Sequence, residues 1–213
     1  RIIANYGYEL VPNYSDLWGV SNENNVESIF EVQYISGGIG QGSLFTNDFS
    51  PSTDLQTGSG FGRNRPTQSM MDAYEDGDLR YDVSMAATYE NLEGETVEQL
   101  HVKKYQSDLA IENDSDINFV VFRYADVLLM LAEALGETSE SYDLINEVRN
   151  RAGLADIDAS SPGTFEEKLL QERRVELAFE NHRWADLKRF NATDKVIDAE
   201  DFITGTREYF YIP

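Results

Sequence analysis

The aromatic side chains of the irregular segments are where this sequence offers recognition chemistry. Tyr14, Trp18, Phe45, Phe49 and Phe61 lie in stretches without helical or strand periodicity, and Asn47, Asp48, Arg63 and Asn64 stand close to them. Sugars present C–H faces that stack on aromatic rings, and their hydroxyls pair with planar polar side chains. A saccharide-binding surface drawing on Tyr14, Trp18, Phe45, Phe49, Phe61, Arg63 and Asn64 is one expectation. For each aromatic the other is that it packs its loop onto the body. Trp184, on a helical stretch beside apolar neighbours, is expected in the core.

Bond-making chemistry finds less support. His101 and His182 are the only histidines and have no partner at metal-ligand spacing; His182 is expected to pack at a helix junction. No nucleophile-elbow pattern is present, and nothing singles out two of the 39 acids as a glycosidase pair. The absence of Cys removes thiol chemistry and disulfides. Asp114, Asp116 and Asn118 occupy the first three ligand offsets of a calcium loop. Phe119 then stands where Gly is required and Ala125 where Glu is required, so that reading fails. Solvated acidic turns near a helix N-terminus are expected instead, with a looser calcium site from Asp72, Asp76, Asp78 and Asp82 as the alternative. No cofactor or metal is assigned. The glycine-rich stretch 36–66 lacks a P-loop pattern.

These candidates need a scaffold, and residues 119–190 supply its most periodic part. Phe119–Leu135 reads as one apolar helix whose Arg123, Asp126, Glu133 and Glu137 fall on a narrow stripe, as on the inner helix of an array. On such a helix Arg123 and Asp126 can meet at i,i+3. Ser141–Arg151 continues with Tyr142, Ile145, Val148 and Ala152 at helical spacing, and Gly153 follows as a stop. Ser161-Pro-Gly163 breaks the chain. Thr164 and Glu167 form a capping box that starts a helix at about Phe165, running to about Glu180. Asn181 then tolerates a left-handed turn before a short helix at 182–190. Arg123, Asp126, Glu133, Arg149, Arg173, Arg174 and Glu176 are charges in apolar helices, read as inter-helix ion pairs instead of an acid–base constellation.

The upstream part is less regular. Residues 1–7 look like a frayed helix end, Asn13–Gly19 a turn and Glu27–Ile35 an extended segment. Pro66–Tyr74 fits a short helix with Pro66 in its first turn, and Val83–Tyr89 with Val97–Tyr105 fits a small hairpin. The chain divides into a loop-rich segment 1–118, a helical array 119–190 and a C-terminal loop segment 191–213. The fold class is mostly α.

At 213 residues the chain can bury a sizeable core, and 41% hydrophobic content excludes global disorder. A net charge of −22 argues against nucleic acid and anionic membrane surfaces as partners. Residues 119–190 hold 9 basic and 14 acidic side chains, so most of the negative charge lies in the other segments. No apolar run approaches the ~18 residues of a membrane span.

Three blocks then carry a resemblance. Residues 123–134 (RYADVLLMLAEA), 145–154 (INEVRNRAGL) and 172–189 (ERRVELAFENHRWADLKR) resemble, in order and spacing, the C-terminal signature of the SusD/RagB family of nutrient-binding outer-membrane lipoproteins. Ile3–Tyr14, Glu27–Glu31, Arg65–Gln68, Tyr74–Asp78 and Lys103–Tyr105 extend the likeness over essentially the whole chain. Asp126 stands where the family usually carries Glu, and Asn181 where it carries Gly. The resemblance implies a tetratricopeptide-like helical array with a loop-rich insertion, and a chain corresponding to the C-terminal half of a longer protein, whose signal and lipid anchor precede it. It implies non-catalytic capture of oligosaccharide at the extracellular face of the outer membrane and delivery to a SusC-like TonB-dependent transporter. Peptide binding within the same architecture, and a docking protein without its own ligand, are the alternatives. Family ligand residues vary between members, so none is carried over.

Overall fold

A computed structural model describes residues 6–51, 60–91 and 93–193; the expectations for residues 1–5 and for the tail beyond 193 lie outside these. Two 3-10 turns, Tyr14–Leu17 and Val20–Asn22, lead into strand β1 (Ser28–Val32). Short helices α1 (Phe45–Phe49), α2 (Gln68–Met71) and α3 (Tyr81–Ser84) follow, then strands β2 (Met85–Glu90), β3 (Thr96–Val102) and β4 (Phe119–Arg123). Four helices complete the described chain: α4 (Tyr124–Leu135), α5 (Ser139–Arg151), α6 (Phe165–Glu176) and α7 (Arg183–Arg189). The mostly α expectation holds, with two small antiparallel pairings, β2 with β3 and β1 with β4.

The β1–β4 pair corrects the sequence reading. Phe119–Arg123 is not the first turn of the long helix but a strand, with Phe30 opposite Phe122 and Val32 opposite Phe119. Phe-Val-Val-Phe is a β-branched and aromatic run that fits a pleated surface, and apolar content alone does not distinguish it from a buried helix. The helix begins where that run ends, and the Tyr124 N–H donates to the Glu27 carbonyl at 2.8 Å. Arg123, on the strand, does not reach Asp126.

The main core lies between α4, α5 and α6, where Ala125, Leu128, Leu129, Ala132, Ile145, Val148 and Leu169 are almost fully buried. Gly153 (φ +80°) closes α5 as expected: its N–H and that of Leu154 donate to Asn150 and Arg149 carbonyls at 3.1 and 3.0 Å. The Thr164–Glu167 capping box forms with both reciprocal bonds, 3.2 and 3.0 Å. Helix α6 ends at Glu176, earlier than the sequence suggested, and a turn with Phe179 (φ +66°) and Asn181 (φ +67°) in left-handed conformation carries the chain into α7. Thr67, not Pro66, caps α2 by accepting from the Met70 N–H at 3.2 Å.

The embedded charges are ion-paired in the core. Glu172, Glu176 and Glu180, spaced by four, take Arg80 (2.6 and 3.0 Å), Arg149, Arg123, Arg151 and Lys104. Glu27, also buried, bridges Arg123 and Arg151 and accepts from the Val11 N–H. Arg173 joins Asp126 at 2.8 Å to Asp186 at 3.0 Å. Two of the charges differ: Glu133 pairs with Arg189 at the exposed surface, and Arg174 meets no carboxylate among the described residues, donating to the Ser69 carbonyl and hydroxyl.

Candidate ligand-binding site

Residues 60–63, in the irregular stretch before α2, are tied down more firmly than their glycine content suggests. The N–H groups of Phe61, Gly62 and Arg63 donate to the carbonyls of Asn47, Ser50 and Asp48 at 2.7, 2.9 and 2.7 Å, which lays residues 60–63 along α1. Gly60 permits this contact, since a Cβ there would meet the Pro51 carbonyl oxygen at 1.7 Å. From α1, Phe45 stacks on Phe49 and Phe119, Phe119 stacks on Tyr105, and both α1 rings pack at a tilt against Tyr105, with ring centroids 4.9–5.7 Å apart.

A groove of about 680 Å³ opens between this aromatic layer and the turn joining α6 to α7. Phe45, Phe49, Phe119 and Phe179 contribute its aromatic side chains, with Trp184 on the α7 side and Pro66, Thr67 and Met70 on the α2 side. Asn64 and Asn181, both with positive φ, supply planar amides, and Arg65, Arg174 and Arg183 supply the charge. Asn tolerates the left-handed region because its short side chain bonds locally; a bulky residue such as Phe179 there is an outlier held by its surroundings. Apolar faces with a few convergent polar groups are what small ligands need.

Of the seven residues proposed from sequence, the structure brings Phe45, Phe49 and Asn64 to this groove. The other four lie elsewhere. Tyr14 is buried, its hydroxyl donating to the Glu176 carbonyl at 2.9 Å, and burial pushes its pKa far up. Trp18 covers the ammonium of Lys104 at 4.4 Å. That lysine is buried, and desolvation lowers its pKa to about 8 despite Glu180. Phe61 receives the Arg63 guanidinium at 4.9 Å, and Arg63 is paired with Asp48 at 2.7 Å.

The sequence reading missed Phe179, Trp184, Arg65, Arg174 and Arg183. Trp184 is 37% exposed and lines the groove, so its placement in the core is corrected. The available signal was the composition of α7, which buries only Asp186 and Leu187 and so leaves a flanking Trp outside. The acidic turns are corrected too. Asp114 is buried and accepts from the N–H groups of Gly37 and Gly38 at 2.8 and 2.7 Å; Asp116 takes that of Ser36 and Asn118 that of Tyr34. They fix loop 34–38 instead of starting a helix. Asp78 is held by Arg80, and no cluster of three potential metal ligands occurs among the described residues. His182 packs against Phe122 at the start of α7; His101 is buried, which lowers its pKa.

Comparison with known proteins gives a consistent picture. A family model described as the SusD family matches residues 80–209. The SusD-like protein P38 of Formosa agariphila is 33% identical over 69% of this chain and 30% of its own length. A laminarin-binding SusD-like protein of known structure superposes with a TM-score of 0.80 at 28% identity, covering 96% of this chain and 50% of that one. The surface glycan-binding protein A from Bacteroides thetaiotaomicron, solved with laminarihexaose, gives 0.78 at 21% identity over 92% of this chain and 49% of that one, a likeness of fold. The chain spans less than half the length of the curated relatives it matches.

Proposed function

Since this chain belongs to the SusD family, with the helical, tetratricopeptide-like architecture of its structural neighbours, we propose that it forms the glycan-holding part of a non-catalytic nutrient-capture protein. The groove between α1 and the α6–α7 turn is the binding surface. One observation carries this reading: an aromatic-lined groove with planar amides and guanidiniums at its sides, the combination that a sugar's apolar face and hydroxyl edge call for. Phe45 and Phe49 give the groove its aromatic wall, Trp184 is the accessible stacking ring, and Asn64 and Asn181 are hydrogen-bonding groups. Among the described residues no carboxylate or imidazole lines the groove, which suits holding a ligand without cleaving it. Trp18, Phe61 and Arg63 form a separate set that serves the packing of their own loops. A laminarin-binding relative supports an oligosaccharide as the ligand class. Family membership supports display at the outer-membrane surface and transfer of the ligand to a SusC-type transporter; no helix of the described residues is long and apolar enough to cross a membrane.

Affinity electrophoresis against soluble polysaccharides tests the site. Trp184→Ala is expected to abolish most retardation, by about 1–3 kcal/mol of binding free energy for one lost stacking ring, while Phe61→Ala leaves retardation unchanged. Retardation that survives Trp184→Ala but not Phe61→Ala would move the site to the outer side of α1.

A further inference from the structure

The charge of the groove is opposite to that of the molecule. The chain carries 39 acidic against 17 basic side chains, yet among the described residues the charged ones lining this groove are Arg65, Arg174 and Arg183, with no Asp or Glu. The same chain pairs its other arginines closely: Arg80, Arg123, Arg149, Arg151 and Arg173 each meet at least two carboxylates. The groove arginines are not in ion pairs among the described residues, and each is anchored mainly through backbone carbonyls. Arg65 Nε donates to Gly62 at 2.8 Å, Arg174 Nη2 to Ser69 at 2.8 Å, with its hydroxyl at 2.9 Å, and Arg183 Nη1 to Leu170 at 3.4 Å. One end of each guanidinium is thus fixed while the rest of its fork remains for an acceptor. Arg174 and Arg183 are both partly buried, which lowers the pKa of each, and for Arg183 the charge of Arg174 adds to burial in bringing it to about 10. An oxyanion bound beside them offsets the cost of their desolvation and the repulsion on Arg183, and a planar fork matches carboxylate or sulfate in two-point fashion.

Resting on the groove as the glycan site, we propose that its ligand is an anionic oligosaccharide, bearing carboxylate or sulfate groups that Arg65, Arg174 and Arg183 engage while its sugar rings stack on the aromatic wall. Neutral glucan is then the poorer ligand.

Titration calorimetry of the chain with four probes tests this: a galacturonic acid hexamer, a sulfated neocarrahexaose, laminarihexaose, and a hexaglutamate peptide. One or both anionic glycans are expected to bind on the order of tenfold tighter than laminarihexaose, and to weaken as salt rises from 50 to 500 mM. Which of the two wins identifies carboxylate or sulfate as the group read. Arg174→Gln and the more exposed Arg65→Gln, each checked for an unchanged melting transition, are expected to lower anionic-glycan affinity on the order of tenfold and to flatten its salt dependence, with a smaller loss for laminarihexaose. Laminarihexaose binding as tightly as both anionic glycans overturns the anionic assignment and leaves the glycan site standing, as does anionic binding that neither variant weakens. Hexaglutamate binding as tightly as the uronate overturns it as charge attraction without sugar recognition. No binding of any glycan overturns this inference and the proposed function together.

Discussion

Single residues here are ionised where solvent is absent, and each stands on its partners. Arg173 lies almost fully buried between Asp126 and Asp186, one carboxylate from α4 and one from α7. Removing one member of such a set leaves the others charged and unpaired in a medium that solvates them poorly. Arg173→Ala is therefore expected to destabilise the fold by ~3–5 kcal/mol in urea denaturation; a midpoint within error of the parent would show that water reaches this triad. Surface pairs such as Glu133–Arg189, where Arg189 is substantially exposed, contribute little by comparison. The groove arginines belong to neither kind: Arg174 and Arg183 are partly buried, Arg65 is exposed, and none has a carboxylate partner among the described residues.

At the scale of elements, the decisive piece is the turn from α6 to α7. Helix α6 ends at Glu176, and the two left-handed residues Phe179 and Asn181 reverse the chain so that Phe179 and Trp184 face the groove. An L-residue other than Asn, Asp or Gly meets its own carbonyl in that conformation. Asn181→Val is expected to cost about 1–2 kcal/mol of stability and Asn181→Gly much less, both read from thermal unfolding; equal melting of the two variants would mean that the turn relaxes freely. The left-handed Asn181 was legible in the sequence because Asn follows a helical run. Phe179 was not, since nothing in an Ala-Phe-Glu sequence announces positive φ. The strand Phe119–Arg123 was illegible for a related reason: its partner, Ser28–Val32, lies some ninety residues away, and only pairing distinguishes an apolar strand from an apolar helix.

For the whole molecule, the buried charges tie the loop-rich half to the helices. Tyr14 from the first segment, Arg80 just before α3 and Lys104 from beyond the hairpin all reach Glu172, Glu176 or Glu180, and Glu27 joins them through Arg123 and Arg151. Although burial alone raises a carboxyl pKa, the surrounding guanidiniums and Lys104 hold Glu176 and Glu180 below the ordinary value of 4.5. A depressed carboxyl contributes stability that is present above its unfolded pKa and lost as pH falls through the folded one. Glu172 shifts upward through burial and acts in the opposite sense, favouring the fold at low pH. Lys104, lowered to about 8, makes stability rise between about pH 8 and its ordinary 10.5. The urea midpoint is accordingly expected to fall as pH drops below 4.5, with a shallower fall in Glu176→Gln; identical acid limbs in parent and variant would remove Glu176 as their source.

By itself the sequence determined what depends on neighbours along the chain. The capping box at Thr164, the Gly153 stop, the α4–α6 core spacing and the family blocks at 123–134, 145–154 and 172–189 all rest on contacts within a few residues or on local order. It also singled out candidate side chains in the irregular segments, of which Phe45, Phe49 and Asn64 line the groove. Only the tertiary structure decided which charges pair and which do not, because an arginine's partner is chosen by proximity in space. Arg123 finds Glu27, Glu176 and Glu180, while Arg174 and Arg183 come to line one groove. The same folding turned Tyr14 inward and left Trp184 accessible, since burial is a property of the packed surface and no single stretch of sequence carries it.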